Sequence, residues 1–214
     1  AFHCLCSGNS TSKGLKMSTL IVIPARYASK RYPGKPLVKL RGASGKAKSL
    51  IRRSWDAAMK VKGVKRVVVA TDDERIKHSA EAFGAEVVMT SGSCRNGTER
   101  CADVISRLVE NYDIVANLQG DAPLTPPWFI EKLVDELESA PHAHVATPIL
   151  LCSKEALESF KEDRKDDRVG GTTAVFDKNN RALYFSKEVV PYAPDLNVSV
   201  YHHVGVYAYR PASL

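Results

Sequence analysis

Four cations follow the first apolar segment of the chain, and no acid lies among them. The segment at 20–23 is short and rich in β-branched residues, which predicts a buried strand. Prolines at 24, 33 and 36 exclude regular structure just after it. Open α/β sheets bind ligands at the carboxyl ends of their strands, and Arg and Lys side chains bind phosphate oxygens. The loop is therefore either an anion site or a solvated basic turn; its cations are Arg26, Lys30, Arg31 and Lys35.

A single carboxylate follows another predicted strand, in the turn Gln119-Gly120-Asp121. Asp121 could bind Mg²⁺, which takes one or two carboxylates together with phosphate oxygens and waters. It could instead cap the helix that begins near Pro126. Triphosphate chemistry needs both cations and a metal-binding carboxylate, so the basic loop of the first strand favours the metal interpretation.

Two further segments are compatible with a site and with a simple helix cap. Asn96 and Gly97 open a predicted helix whose free N–H groups suit an anion or a base carbonyl. Thr71-Asp72-Asp73 has the same ambiguity. His202 and His203 lie on a probable strand, where neighbouring side chains face opposite ways, so at most one of them points into a site.

Composition narrows the class of protein. Residues 1–66 carry 16 Lys and Arg and one acid, a net charge of +15, whereas residues 67–214 carry 15 Lys and Arg and 23 acids, a net −8. A basic half implies a polyanionic partner. Only 7% of the residues are aromatic, which favours a small phosphorylated ligand over nucleic acid. The chain has neither a Walker-type loop nor a Gly-x-Gly-x-x-Gly after its first strand.

The five cysteines are odd in number and have no zinc-like spacing, so we expect free thiols in a cytoplasmic protein. No apolar run is long enough to span a membrane. Residues 1–16 are acid-free and Ser-rich, and we expect a disordered leader, either a scar of the expression sequence or the end of a transit peptide. Residues 17–214 are expected to form a single domain.

Strands alternate with helices up to residue 150, which predicts an α/β fold with a mostly parallel, Rossmann-like sheet and helices on both faces. A smaller antiparallel β region follows at 170–210, as a lid or a subunit contact. We predict Leu50, Ile51, Trp55, Ala58 and Met59 on the inner face of the first helix, and Val104, Ile105, Leu108 and Val109 on that of the third. The predicted helices are 47–61, 74–83, 97–112, 126–139 and a helix-plus-loop at 154–168. The predicted strands are 20–23, 66–70, 85–89, 113–118, 144–150, 172–177, 182–186 and 198–209.

The order of the motifs resembles one family. Ile-Pro-Ala-Arg-Tyr-Ala-Ser-Lys-Arg-Tyr-Pro-Gly-Lys-Pro-Leu at 23–37 closely resembles the signature of the 3-deoxy-manno-octulosonate (Kdo) cytidylyltransferases. Ala-Thr-Asp-Asp (70–73), Gly-Thr-Glu-Arg (97–100), Gln-Gly-Asp-x-Pro-Leu (119–124), Ala-Leu-Tyr-Phe-Ser (182–186) and His-x-Gly-x-Tyr-x-Tyr-Arg (203–210) follow in the family's order. The sialic-acid cytidylyltransferases share part of the first signature but usually not its Pro-Gly-Lys-Pro-Leu ending.

The resemblance implies a nucleotidyltransferase that transfers CMP from CTP to the anomeric hydroxyl of Kdo, for lipopolysaccharide biosynthesis. It implies Arg26, Lys35 and Asp121 as catalytic residues, with Mg²⁺ on Asp121. The CTP-binding residues would be Ala25, Arg26, Arg31, Lys35, Thr71, Asn96, Gly97, Thr98 and Arg100. The residues facing the sugar acid would be Gln119, Ser186, Lys187, His203 and Tyr207. It also implies a homodimer through the late strands, and we expect no nucleic-acid partner.

The chain departs from the family pattern in three places. Ala122 replaces the usual Glu, Ser-Cys-Arg-Asn at 93–96 lacks the usual His, and a Lys common near Thr173 is missing. The departures leave an amino-substituted Kdo or a sialic-acid-like sugar as an alternative substrate, and the basic half leaves a non-catalytic polyanion-binding protein as another alternative. The family pattern continues past Leu214 with a segment whose Asp helps to bind metal, so we expect a truncated C-terminus.

Overall fold

The computed structural model describes residues 2–4, 17–28, 32–168, 170–195 and 197–214. The helices are α1 (Leu50–Ala58), α2 (Glu74–Glu81), α3 (Gly97–Arg107), α4 (Pro127–Ser139) and α5 (Lys154–Lys165). The strands are β1 (Phe2–Cys4), β2 (Thr19–Ala25), β3 (Lys39–Arg41), β4 (Ala47–Ser49), β5 (Arg66–Thr71), β6 (Val87–Met89), β7 (Ile114–Asn117), β8 (Val145–Ala146), β9 (Pro148–Leu151), β10 (Thr172–Phe176), β11 (Ala182–Ser186), β12 (Tyr201–His203) and β13 (Tyr207–Tyr209).

The larger sheet has the order β6-β5-β2-β7-β13-β8. Strands β6, β5, β2 and β7 are parallel, and β13 is antiparallel to both β7 and β8. Every residue of β2 is buried, as expected for the central strand of a sheet that is covered on both faces. The mostly parallel sheet predicted from the sequence is confirmed.

Helices pack on both faces of this sheet. Ile51 and Trp55 of α1 share one core with Ile130 and Leu133 of α4. Val104 of α3 belongs to a second core on the opposite face. Burying each such large apolar side chain contributes about 1.5–3 kcal/mol, so the two cores hold the strand ends in fixed positions.

A second sheet has the order β1-β9-β12-β10-β11 and is antiparallel throughout. It contains most of the region predicted as antiparallel at 170–210. Phe2–Cys4, which lie in the segment expected to be disordered, form strand β1; residues 5–16 lie outside the described residues.

Two predicted strands are wrong in extent because each divides between the sheets. The segment predicted at 144–150 forms β8 in the larger sheet and β9 in the second sheet. The segment predicted at 198–209 forms β12 in the second sheet and β13 in the larger one. Thr147 joins the two crossovers, because its hydroxyl donates to the main-chain oxygen of Val206 at 2.8 Å.

The first predicted helix is three residues too long at its start. Ala47–Ser49 pair with Lys39–Arg41 as the β3–β4 hairpin, and α1 begins only at Leu50, where the Ser49 hydroxyl caps the main-chain N–H of Arg52. The third helix ends early, because Leu108 leaves the helical conformation. The predictions of Met59 and Val109 as inward residues are therefore wrong: both lie beyond the helix ends, and Val109 is 99% exposed.

Within the residues that the structure describes, no helix is long and apolar enough to cross a membrane. Cys94, Cys101 and Cys152 are free thiols, as predicted for those three positions.

Candidate active site

A cavity of about 970 Å³ opens at the carboxyl ends of β2 and β7. Its floor comes from the strand ends, one wall from the N-terminus of α3, and the other from the basic loop and the β3–β4 hairpin. The residues that line it are Pro24, Ala25, Arg26, Tyr32, Lys35, Pro36, Val38, Leu40, Leu50, Cys94, Arg95, Asn96, Gly97, Arg100, Gln119, Gly120, Asp121 and Pro123.

Lys35 and Asp121 form an ion pair across the cavity, with 2.6 Å between Nζ and Oδ2. Gly34 positions the lysine by taking a left-handed conformation (φ 71°) just before the short 3₁₀ helix Lys35–Leu37. Asp121 does not cap α4, whose cap residue is Pro126 without a side-chain hydrogen bond. The carboxylate is therefore available to the cavity and to its lysine partner.

Arg26 adds a second cation. One of its N–H groups donates a long hydrogen bond of 3.5 Å to the main-chain oxygen of Arg95. No carboxylate among the described residues pairs with Arg26, and its positive charge is therefore free for an anionic ligand.

Arg100 forms the inner wall and is held rigidly. Its side chain is only 3% exposed, donates to the hydroxyl of Thr90, and lies 3.4 Å from Oδ2 of Asp72. A buried guanidinium needs such a counter-ion because its desolvation is costly. Its charge is thus already balanced, unlike that of Arg26.

Two glycines let neighbouring segments of the chain pack closely at the cavity. A Cβ at Gly120 would lie 2.7 Å from the main-chain oxygen of Pro24, and one at Gly97 would lie 3.1 Å from Nδ2 of Asn117. The buried hydroxyl of Ser54 donates to the main-chain oxygen of Gly120 at 2.9 Å. The turn that carries Asp121 is therefore fixed against β2 and α1.

Asn96 caps α3 by accepting a hydrogen bond from the main-chain N–H of Glu99 at 2.9 Å. The remaining N–H groups at this helix start carry a partial positive charge, which suits an anion or a polar ligand. Asn96 thus has the predicted cap role and also lines the cavity.

A cluster of aromatic rings adjoins the end of β7, built from β11, β12 and β13. The His203 ring packs against Phe185 at 4.8 Å and Tyr207 at 5.4 Å between centroids. Its Nε2 lies 2.9 Å from the Thr147 hydroxyl. Burial, with smaller contributions from His202 and Lys187, lowers the pKa of His203 to about 4, so this ring is neutral at pH 7.

His202 faces the opposite side of β12, against Phe160 at 5.2 Å. The two histidines therefore face opposite sides of the strand, as expected for neighbouring residues. On the other side, Tyr207 is opposite Asn117 in the β7–β13 register, two residues before Gln119.

The structure brings part of the predicted residue set together. Ala25, Arg26, Lys35, Asn96, Gly97, Arg100, Gln119 and Asp121 line the cavity. Thr71 is fully buried and accepts from the main-chain N–H of Asp73, and Thr98 contacts Tyr209 at 3.1 Å; neither lines the cavity wall. Arg31 lies outside the described residues.

The predicted sugar residues other than Gln119 lie beyond the cavity wall. Lys187 donates to the Thr172 hydroxyl at 2.8 Å, and Ser186 accepts from the main-chain N–H of Glu188. His203 and Tyr207 belong to the aromatic cluster. These four residues therefore form a separate group on the second sheet and β13, and the roles assigned to them stay predictions.

Sequence reasoning missed the contribution of the β3–β4 hairpin. Val38 and Leu40 line the cavity, while Lys39 and Arg41 alternate with them. This alternation, followed by a Gly-containing turn at 42–45, is the signal that predicts a hairpin. Sequence reasoning also missed Asp72 and Thr90 as partners of Arg100. Both are too far from Arg100 in sequence for a local pattern to indicate the contact.

The side chains at the cavity suit a cation that takes few of its ligands from the protein. Among the described residues, no three His, Cys, Asp or Glu side chains come together as a metal-binding group. Of the described residues that line the cavity, Asp121 alone carries a carboxylate, and the cations Arg26 and Lys35 lie beside it. This arrangement suits Mg²⁺ shared between a carboxylate and phosphate oxygens, and does not suit a metal held entirely by protein.

A parallel α/β sheet with cations, a helix start and one carboxylate around a cavity at its strand ends defines a nucleotide-binding protein of the nucleotidyltransferase type. A family model described as cytidylyltransferase matches residues 20–213. The chain belongs to this cytidylyltransferase family.

Curated relatives carry a more specific name. The 3-deoxy-manno-octulosonate cytidylyltransferase of Maricaulis maris is 46% identical over 200 residues, which are 92% of this chain and 75% of the relative. The protein of the same name from Chlamydia trachomatis serovar L2 is 42% identical over 193 residues, 90% of this chain and 71% of the relative.

A solved structure of a CMP:2-keto-3-deoxy-manno-octonic acid synthetase complexed with CTP has a TM-score of 0.76 and 33% identity. The match covers 91% of this chain and 75% of that one. The fold, the family and the resemblance drawn from the motifs therefore agree.

Proposed function

We propose that this protein transfers CMP from CTP to the anomeric hydroxyl of Kdo and releases pyrophosphate. The observation that carries the proposal is the ion pair of Lys35 and Asp121 in one cavity with Arg26, which pairs with no carboxylate in the described part of the chain. The names of the relatives and the CTP complex of the solved neighbour support both substrates.

Arg26 and Lys35 would hold the triphosphate, with Arg31 as a further cation of the same loop. The nucleoside would lie against Ala25, Gly97 and Arg100, which line the cavity at the end of β2 and the start of α3. Asn96 and Thr98 would fix that helix start through their hydrogen bonds.

The chemistry is a displacement at phosphorus. The sugar's anomeric hydroxyl releases its proton to solvent as its oxygen forms a bond to the α-phosphorus of CTP. The bond from that phosphorus to the bridging oxygen breaks, and pyrophosphate leaves with the electron pair. Arg26 and Lys35 bind the oxygens on which negative charge accumulates. No covalent intermediate on the protein is needed, because positioning and charge neutralisation supply most of the rate in phosphoryl transfer.

Asp121 would hold Mg²⁺ at the phosphates. When bound, this ion would neutralise charge on the phosphate oxygens. Mg²⁺ would compete with Lys35 for Asp121, and the triphosphate would compete with Asp121 for Lys35. Binding of both would therefore open the ion pair and turn the lysine towards the triphosphate.

The sugar acid would lie between Gln119 in the cavity wall and the residues Ser186, Lys187, His203 and Tyr207. Lys187 supplies the positive charge for the sugar's carboxylate. His203 is neutral at pH 7 and contributes a hydrogen bond and an apolar ring face instead.

We propose a homodimer formed through the second sheet. Strand β11 is at the edge of that sheet, and the β11 surface (Leu183, Tyr184, Phe185 and Tyr192) is exposed and apolar. Exposed apolar groups next to a strand edge favour pairing with a second copy.

We also propose that the protein acts in the cytoplasm, in lipopolysaccharide biosynthesis. The free thiols support the location, and the proposed product supports the pathway.

The test is pyrophosphate release from CTP and Mg²⁺ with Kdo, 8-amino-Kdo or sialic acid in parallel reactions. Release with Kdo at a higher kcat/KM than with the other two sugars is the expected result. Release with another sugar alone would instead connect Ala122 and Cys94 to a different substrate. No release with any sugar would contradict the proposed reaction.

A further inference from the structure

The partners of Arg100 indicate that a neighbouring residue affects ligand binding by orienting this arginine. Arg100 lines the cavity but is 3% exposed, so its guanidinium presents only an edge to a ligand. Thr90 and Asp72 engage its two terminal nitrogens, Nη1 and Nη2, respectively. A guanidinium carries five N–H donors and no acceptor, so donors remain after these two contacts.

Charge balance separates this arginine from Arg26 of the basic loop. The Asp72 carboxylate balances Arg100, whereas Arg26 has no such partner in the described part of the chain. An arginine with its charge balanced and its plane fixed is suited to hydrogen-bond a neutral ring rather than to attract phosphate. Pyrimidine rings are the neutral part of a nucleoside triphosphate.

The two pyrimidines differ in what they offer to such a donor. Cytosine presents acceptors at both O2 and N3, while uracil presents an acceptor at O2 and a donor at N3. Two fixed N–H donors satisfy the cytosine edge and leave a donor facing a donor at uracil, which costs the free energy of an unmade buried hydrogen bond.

We infer that Asp72, together with Thr90, is a positioning residue that orients Arg100 towards the acceptor edge of the pyrimidine and thereby sets the preference for CTP over UTP. The inference rests on the proposed use of CTP. Asp72 contacts Arg100 and is not among the residues that line the cavity, so we expect it to act on base selection and nucleotide affinity rather than on bond formation.

The experiment compares Asp72→Asn with the parent chain by calorimetric titration of CTP and of UTP without sugar, and by kcat and KM with sugar. We expect the Kd for CTP to rise about tenfold, equivalent to about 1.4 kcal/mol. The Kd for UTP should change much less, so that the preference for CTP falls, while kcat stays close to that of the parent. Asp72→Glu keeps the carboxylate and should restore part of the preference.

Asp56→Asn is the matched control, because Asp56 also pairs with an arginine and is 27% exposed, against 24% for Asp72. It should leave both nucleotide affinities unchanged. If Asp72→Asn does not fold, Thr90→Val removes the other Arg100 contact with little change in volume and should give the same loss of preference.

Affinities for CTP and UTP that fall in parallel, or that stay unchanged in a folded variant, would overturn the positioning role. A parent chain that binds neither nucleotide would overturn the proposed function, and this inference with it. Saturable binding of CTP by the parent separates the two failures.

Discussion

Lys35 Nζ and Asp121 Oδ2 lie 2.6 Å apart, and both side chains are nearly half exposed. A surface ion pair of this kind contributes little to stability, since water screens it and two side chains lose freedom. In the proposed reaction the pair has a functional role instead, because it places one cation and one carboxylate where a triphosphate would lie.

Asp121→Asn should abolish transfer while the fold stays intact. The amide keeps the size of the side chain but no longer supplies a charged oxygen for Mg²⁺, so kcat should fall at least about a hundredfold. Pyrophosphate release measures the rate, and thermal unfolding measures stability.

Asp135→Asn is the control for that substitution, because Asp135 forms only an exposed pair with Lys132 on α4. It should release pyrophosphate at the parent's rate. Undiminished release by Asp121→Asn would show that this carboxylate does not hold the metal.

At the residue scale, the sequence predicts cavity residues wherever a local motif carries the chemistry. Three such motifs, each only a few residues long, contribute to the cavity: the basic loop, the Asn96-Gly97 helix start and the turn at 119–121. The contact of Arg100 with Asp72 joins two elements that are separated in the chain, and no local pattern reports such a contact. Only the packing of α3 against β5 brings it about.

Among the secondary-structure elements, two chain segments cross from one sheet to the other and so connect them. β8 and β9 are joined through Thr147, and β12 and β13 through 204–206, with the Thr147 hydroxyl connecting the two crossovers. His203 at the end of β12 contacts the same hydroxyl. The packing of this histidine therefore couples the second sheet to the larger one.

Protonation of His203 should destabilise this junction at acidic pH. Its pKa falls from 6.5 to about 4 on folding, chiefly through burial, so the unfolded chain binds a proton between these values and the folded chain does not. Its contribution is complete above pH 6.5 and is lost as the pH falls from 6.5 towards 4.

His203→Gln removes this titration while it retains a hydrogen-bonding group. Urea unfolding at pH 7.5, 6.0 and 5.0 should show a smaller loss of stability on acidification in the variant than in the parent. His78→Gln is the control for the loss of an imidazole, since His78 is exposed on α2. Identical profiles for the parent and the His203 variant would contradict the buried, neutral ring.

Element types follow from sequence periodicity better than element ends do. The strands β2 and β5 and the caps of α2 and α3 agree with the predictions because short-range apolar runs and cap residues determine them. Residues 144–150 have the apolar pattern of one strand, but sheet crossing at Thr147 depends on its partners β12 and β13. Val109 continues the helical spacing of apolar residues although α3 has already ended, so the spacing alone does not predict where the helix stops.

At the scale of the whole molecule, the second sheet presents apolar side chains that the described chain leaves uncovered. The β11 surface lies at the edge of that sheet, next to the aromatic cluster of the proposed sugar site. A dimer through this surface would bury these side chains and support the cluster from outside.

Tyr184→Glu combined with Tyr192→Glu should convert the proposed dimer to a monomer, because two buried charges would have no partners in the interface. Light scattering after size exclusion should give a mass near 23.5 kDa for this variant and about twice that value for the parent. Val109→Glu is the control, since Val109 is an exposed apolar residue outside the β11 surface. A parent of monomer mass, or a double variant that remains a dimer, would contradict the proposed interface.

³¹P NMR of the protein with CTP, Mg²⁺ and Kdo observes the proposed transfer of CMP to the sugar acid itself. We expect the CTP signals to be replaced by those of one new phosphodiester and of pyrophosphate in equal amounts, and only when sugar is present. Formation of CDP and inorganic phosphate, or pyrophosphate that appears without sugar and without a new phosphodiester, would contradict it.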